Sequence, residues 1–177
     1  AIAPYDHITT LSDGETINVA GVELQALHAP GHTAGQLNIY VPVLQLLFAG
    51  DNVVGEGTTW IGRPDGSMRD YLNTLERLKE LKLRRIAPGH GEWVEQPYEQ
   101  IDFLLRRRRQ REEQIIQFLR ERSPDGLTIP ELTRLIYQDT IHQSVVNVAE
   151  RTTEAHLIKL IEDGRVKQEG AFYTLGS

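Results

Sequence analysis

"HAPGHTAGQ", residues 28–36, is the stretch on which the reading of this chain turns. Pro30-Gly31 and Gly35 surround His32, a composition that makes a sharp turn and lets backbone approach closely. Apolar runs of strand character lie on both sides. "ETINVAGVELQALHAP" enters the turn as two alternating segments joined at Ala20-Gly21, and "QLNIYVPVLQLLFAGD" leaves it as two more, broken at Pro42. The last of these, "VLQLLFAG", is almost continuously apolar, the pattern of a strand covered on both faces. It stops at Asp51, and a carboxylate at the end of a buried strand needs a partner. On its own, the stretch leaves open whether His28 and His32 are metal ligands or loop residues between strands.

Further along, the period changes. Met68, Tyr71, Leu72, Leu75, Leu78 and Leu81 recur at steps of three and four, which predicts a helix with Asp65 or Ser67 as N-cap. "RRIAPGHGEW" then reads as a short strand running into a second Pro-Gly-His-Gly turn. Alternation of strand, helix and loop predicts layered α/β packing. After Pro97 a long helix is marked by Ile101, Leu104, Leu105, Ile115, Ile116 and Leu119, a stripe that bridges two packing environments. Arg108 and Glu112 fall on the same stripe, at a spacing that suits a helical ion pair. "SPDG" ends that helix. "LTIPELTRLIYQ" predicts a helix capped by Thr128, and the segment from Thr152, "TTEAHLIKLIEDGRVKQEGAFYTL", a helix followed by a two-stranded hairpin. Three helices and a hairpin in that order describe a winged-helix module. The expected units are residues 1–97 and residues 98–177.

Composition narrows the chemistry. The 177 residues, 40% hydrophobic and 25% charged, are enough for one average domain or two small ones. No apolar run approaches the roughly 20 residues that span a bilayer, and the N-terminus lacks a basic region followed by an apolar one. The expectation is a soluble, cytoplasmic protein without a membrane partner. With no cysteine, a metal site must be built from His, Asp and Glu. A formal charge of −6 argues against a generally basic nucleic-acid binder, although "RRRRQR" at 106–111 is a local basic block. Arg106, Arg107 and Arg109 are its candidate phosphate contacts; a solvated helix face, partly offset by Asp102, Glu112 and Glu113, is the more usual reading of such a run. The helix from Thr152 offers only Arg151 and Lys159 against Glu154, Glu162 and Asp163, a poor phosphate-binding face.

Three positions share one context: His32 in "APGHT", Asp51 in "FAGD" and His90 in "APGHG" each end a strand-like segment beside glycine. Imidazoles and a carboxylate are the ligands zinc takes where thiolates are lacking, and a carboxylate can bridge two ions. In order and spacing these stretches resemble the third, fourth and fifth motifs of the metallo-β-lactamase superfamily. "GEGTTW" and the C-terminal winged helix are similar to its β-lactamase-like protein 2 group. The resemblance implies the C-terminal half of an αββα sandwich followed by a mainly helical winged-helix-like domain. It implies that His32 and His90 each serve one metal position and that Asp51 is shared, the catalytic carboxylate of a hydrolase that uses a metal-bridged hydroxide. His28 matches no ligand and is expected to serve strand-end packing. Trp60 and Tyr71 could line a pocket but suit the core, His142 and His156 are read as structural or surface residues, and His7 is uninformative.

The family's first metal motif, His-x-His-x-Asp-His, is absent from these residues. Two divalent ions, zinc foremost, are therefore expected in an intact protein and few or none in this chain alone. Its expected partners are a missing N-terminal half, an ester, thioester or single-stranded RNA substrate, and further copies in an oligomer, since half a sandwich should expose apolar surface and strand edges. A second reading makes the chain a noncatalytic nucleic-acid- or protein-binding module with a vestigial metal half-site.

Overall fold

The structure, a computed structural model, describes residues 10–138 and 141–176; His7 lies outside them. Strands β1 (Thr16–Val19), β2 (Val22–His28), β3 (Leu37–Val41), β4 (Leu46–Gly50) and β5 (Arg85–Pro88) form one sheet in sequential order. The first three pairings are antiparallel. β4 and β5 pair parallel, with helix α1 (Met68–Leu78) in the crossover between them. The hairpin of β1 and β2 turns at Ala20-Gly21, and Pro42 breaks β3 from β4 by starting a short 3-10 turn. Ser67 caps α1, its hydroxyl accepting from the Asp70 amide at 3.3 Å.

Among the described residues one face of the sheet is covered and the other only in part. Leu27, Tyr40, Leu47, Ala49 and Ile86 are buried in a core shared with Tyr71, Leu75 and Leu78 of α1. The register places Ala26, Ile39 and Phe48 together on the opposite face, where Phe48 is 45% exposed and Leu37 40%. β4 is thus not covered on both faces among the described residues, as its apolar run predicts; its alternate residues line an open apolar surface. The expectation that the sheet exposes such a surface holds.

Helix α2 (Pro97–Glu121) enters two cores. Ile101, Leu104 and Leu105 pack with the sheet and α1. Ile115, Ile116 and Leu119 pack with Leu127, Leu132, Leu157, Leu160, Val166 and Tyr173. That second core joins helices α3 (Ile129–Tyr137) and α4 (Val146–Glu162) to the hairpin of β6 (Val166–Glu169) and β7 (Phe172–Leu175), with Leu127 bridging to Tyr173. Thr128 caps α3 in a capping box with Glu131. α4 starts at Val146 rather than Thr152. Thr152 and Thr153 resemble caps in sequence, but their hydroxyls donate to the carbonyls of Val148 and Ala149 one turn back, at 3.1 and 3.0 Å. Among the described residues no helix is long and apolar enough to cross a membrane.

The ion pair expected between Arg108 and Glu112 does not form. Both side chains are buried, but Arg108 donates to the carbonyl of Thr59, and Glu112 accepts from Lys159 of α4 at 2.8 Å. Each reaches a different element packed on α2, which an i,i+4 spacing cannot foresee.

Candidate metal centre

The loop after β2 carries His32, the end of β4 carries Asp51, and the loop after β5 carries His90. Glycines allow these segments to meet. A Cβ at Gly31 would lie 2.4 Å from the Tyr71 Cα, so only glycine lets the His32 loop rest on α1. A Cβ at Gly89 would lie 2.6 Å from Asp51 Oδ1, and the Gly89 amide instead donates to the Gly50 carbonyl at 2.7 Å. Buried Asn52 ties the strand end to the first loop by donating to the Ala29 carbonyl at 2.6 Å.

The two oxygens of Asp51 face different histidines. His32 Nε2 is 3.5 Å from Oδ2, and His90 Nε2 is 3.5 Å from Oδ1. The carboxylate is 32% exposed and His90 81%, so the arrangement opens to solvent. It stands in a cleft of about 280 Å³ whose walls include Glu56, Thr58 and Trp60. On the far side of its ring His32 Nδ1 lies 2.8 Å from the Trp60 carbonyl, which can only accept; Nδ1 therefore carries the proton. In the neutral imidazole, Nε2 then turns a lone pair toward the Asp51 carboxylate.

That facing suits a cation. Two lone pairs repel unless a positive centre lies between them, and ligand atoms about 2.0–2.1 Å from a tetrahedral ion sit about 3.3 Å from each other. A second hydrogen bond that fixes the ligating tautomer is the usual support of a metal-binding histidine. The residue types suit divalent ions, but each oxygen of Asp51 faces a single imidazole. Among the described residues no group of three or more such side chains could close around one ion.

The other expected residues are placed as follows. His28 Nε2 lies 2.8 Å from the Ala34 carbonyl at the strand end, and its amide donates to Asp13. Tyr71 is wholly buried in the core, its hydroxyl donating to the Asn52 carbonyl at 3.1 Å, whereas Trp60 is partly exposed in the cleft wall. His142 begins a 3-10 turn. His156 is fully buried, and burial pushes its imidazole down to about 4, so it is neutral at pH 7. Of the arginine block, Arg106, Arg107 and Arg109 are exposed and Arg108 buried; Arg109 donates to Glu76 of α1. A shallow groove lined by Arg106, Arg109, Gln110 and Gln114 shares no residue with the His32–Asp51–His90 cleft.

Sequence reasoning missed the shell that holds the Asp51–Trp60 loop. Tyr71 binds the Asn52 carbonyl, Gln100 the Val54 carbonyl at 2.9 Å and Arg108 the Thr59 carbonyl, while Thr59 Oγ1 donates to the Asp51 carbonyl at 2.6 Å. Backbone acceptors have no residue signature; only the charge of Arg108 on an apolar stripe could have pointed here.

Known proteins resemble the chain over most of its length. Residues 1–90 match the model of the metallo-beta-lactamase superfamily, and residues 128–174 that of the beta-lactamase associated winged helix domain. Over 157 residues the chain is 32% identical to a beta-lactamase-like protein 2 homolog of Caenorhabditis elegans, covering 89% of this chain and 51% of that one. Over 171 residues it is 28% identical to an atrochrysone carboxyl ACP thioesterase of Cryptosporiopsis sp., covering 90% and 52%. A crystal structure of a metallo-beta-lactamase family protein from Thermus thermophilus superposes with a TM-score of 0.81 at 26% identity, covering 97% of this chain and 56% of that one. The chain spans about half the length of the curated relatives it matches.

Proposed function

The chain belongs to the metallo-beta-lactamase superfamily, and from that premise we propose that His32, Asp51 and His90 are half of a two-ion hydrolytic centre acting on an ester or thioester. The observation that carries this reading is the carboxylate of Asp51 with one imidazole Nε2 at 3.5 Å from each of its oxygens. His32, Asp51 and His90 would hold divalent ions, zinc foremost, which would supply a more acidic bound water and positive charge opposite an attacked carbonyl.

The chain's own residues have separate tasks. Asp51 offers one oxygen to each side, and His32 offers its Nε2, the nitrogen not engaged by the Trp60 carbonyl. His90, on the exposed rim, supplies the second imidazole. Thr58 and Trp60 wall the space where an acyl group would lie. A tetrahedral ion needs more donors than either side provides, so the remaining ligands come from a partner segment carrying His-x-His-x-Asp-His, and this chain alone is inactive.

An ester or thioester is favoured by the thioesterase among the similar proteins. An RNA substrate would rest on Arg106, Arg107 and Arg109, and the pairing of Arg109 with Glu76 weakens that case. Native mass spectrometry of the purified chain in zinc tests the reading, since one spectrum reports bound ions and any associated polypeptide. Bound zinc that is lost in Asp51→Asn, and acyl-thioester hydrolysis once the complementary segment is supplied, are the expected results. A chain that takes up no zinc with that segment bound, or that cleaves single-stranded RNA and no thioester, overturns it.

A further inference from the structure

Arg108 is buried, yet among the described residues no carboxylate pairs with it. Its Nη2 donates to the Thr59 carbonyl, its guanidinium lies 5.5 Å from the centre of the Tyr71 ring, and its Nε has no hydrogen-bond partner. A charge buried against a carbonyl and an aromatic face adds little to stability compared with an apolar side chain of similar volume. The position of the contact gives it another meaning. Thr59 donates through its hydroxyl to the Asp51 carbonyl, and the carbonyl of the next residue, Trp60, accepts from His32 Nδ1. One guanidinium thus holds the two-residue segment, Thr59–Trp60, whose side-chain hydroxyl and second carbonyl touch two of the three proposed ligands.

We propose that Arg108 is a positioning residue: by gripping the Thr59 carbonyl from α2 it aims the Trp60 carbonyl at His32 and so keeps that imidazole in its Nδ1–H tautomer, with Nε2 free for an ion. The last clause rests on the metal reading above; the first does not. Gln100, on the same helix, donates to the loop at the Val54 carbonyl instead of the Thr59 carbonyl, which makes it an internal control.

The test is a long-range proton–nitrogen correlation spectrum of the histidine rings in the nitrogen-15-labelled chain at pH 8, with His32 assigned through His32→Asn. Wild type is expected to show the Nδ1–H pattern for His32. Arg108→Met removes the donor and the buried charge, and Arg108→Gln retains donors on a side chain too short to reach as far. Both should shift His32 toward the Nε2–H form that free imidazoles favour, while Arg108→Lys and Gln100→Ala keep the wild-type pattern. A wild-type tautomer in folded Arg108→Met or Arg108→Gln overturns the proposal. Collapse of the fold in both also overturns it, because Arg108 would then be holding the core and not the loop. A parallel cobalt titration separates the two readings: about tenfold weaker uptake in Arg108→Met is expected. If wild type takes up no cobalt, the metal reading fails while the tautomer result still decides the role of Arg108.

Discussion

Two carboxylates in this molecule each stand beside a histidine, and they have little else in common. Asp51 ends a strand, is partly exposed, and meets two imidazoles at 3.5 Å, with no lysine or arginine paired to it among the described residues. Glu112 sits within α2, is 4% exposed, and takes the Lys159 ammonium at 2.8 Å with His156 Nδ1 at 3.6 Å. Burial alone would raise the Glu112 carboxyl; the contacts with His156 and Lys159 together outweigh it and hold the group below the usual carboxylate range. The second cluster contains its own cation, so its charge is compensated within the fold. The first meets only imidazoles and leaves its charge to be answered from outside.

The difference can be broken most directly at Asp51. Asp51→Asn should weaken cobalt or zinc uptake by about 100-fold or more, yet change folding stability by no more than about 0.5 kcal/mol; a titration and a urea melt on one preparation read both. Glu112→Ala should give the reverse result. It leaves Lys159 partly buried with only Asp163 and should cost about 2 kcal/mol by urea denaturation, with metal uptake unchanged.

A pH series sharpens the contrast. His156 is neutral when folded, with its pKa near 4, but titrates near 6.5 when unfolded. The unfolded chain therefore binds more protons between those values. Stability should fall as pH drops from 6.5 toward 4, with a slope approaching about 1.4 kcal/mol per pH unit from this group. Denaturation midpoints of His156→Leu across that range should show a shallower slope than wild type. The smallest effect is expected at Phe48, on the same strand as Asp51 but on the open face of the sheet. Phe48→Thr should change stability by less than about 0.5 kcal/mol and leave metal uptake as it was, while lowering self-association in size-exclusion chromatography.

Much of this arrangement is legible in the residues. Ser67 and Thr128 have the chemistry of caps and act as caps, Ala20-Gly21 turns a hairpin, and the three ligand candidates announce themselves by sharing glycine-flanked strand ends. Partners distant in sequence are what periodicity cannot supply. It puts Arg108 and Glu112 on one stripe but says nothing of Thr59 or Lys159. Nor does it reveal that one face of β4 lacks a cover, because an apolar run has the same composition whether or not a second layer lies on it. The tether from Trp60 to His32 uses a main-chain carbonyl and would be invisible in any side chain.

Helix α2 is a single unbroken rod of 25 residues, about 37 Å long at 1.5 Å per residue, and its two ends are walls of two different cores. Neither core can come apart without stripping a wall from the other, so heat should melt the sheet and the winged helix together. In a scanning calorimeter this predicts one endotherm whose van't Hoff and calorimetric enthalpies agree, from a molecule that looks, in outline, as though it should give two.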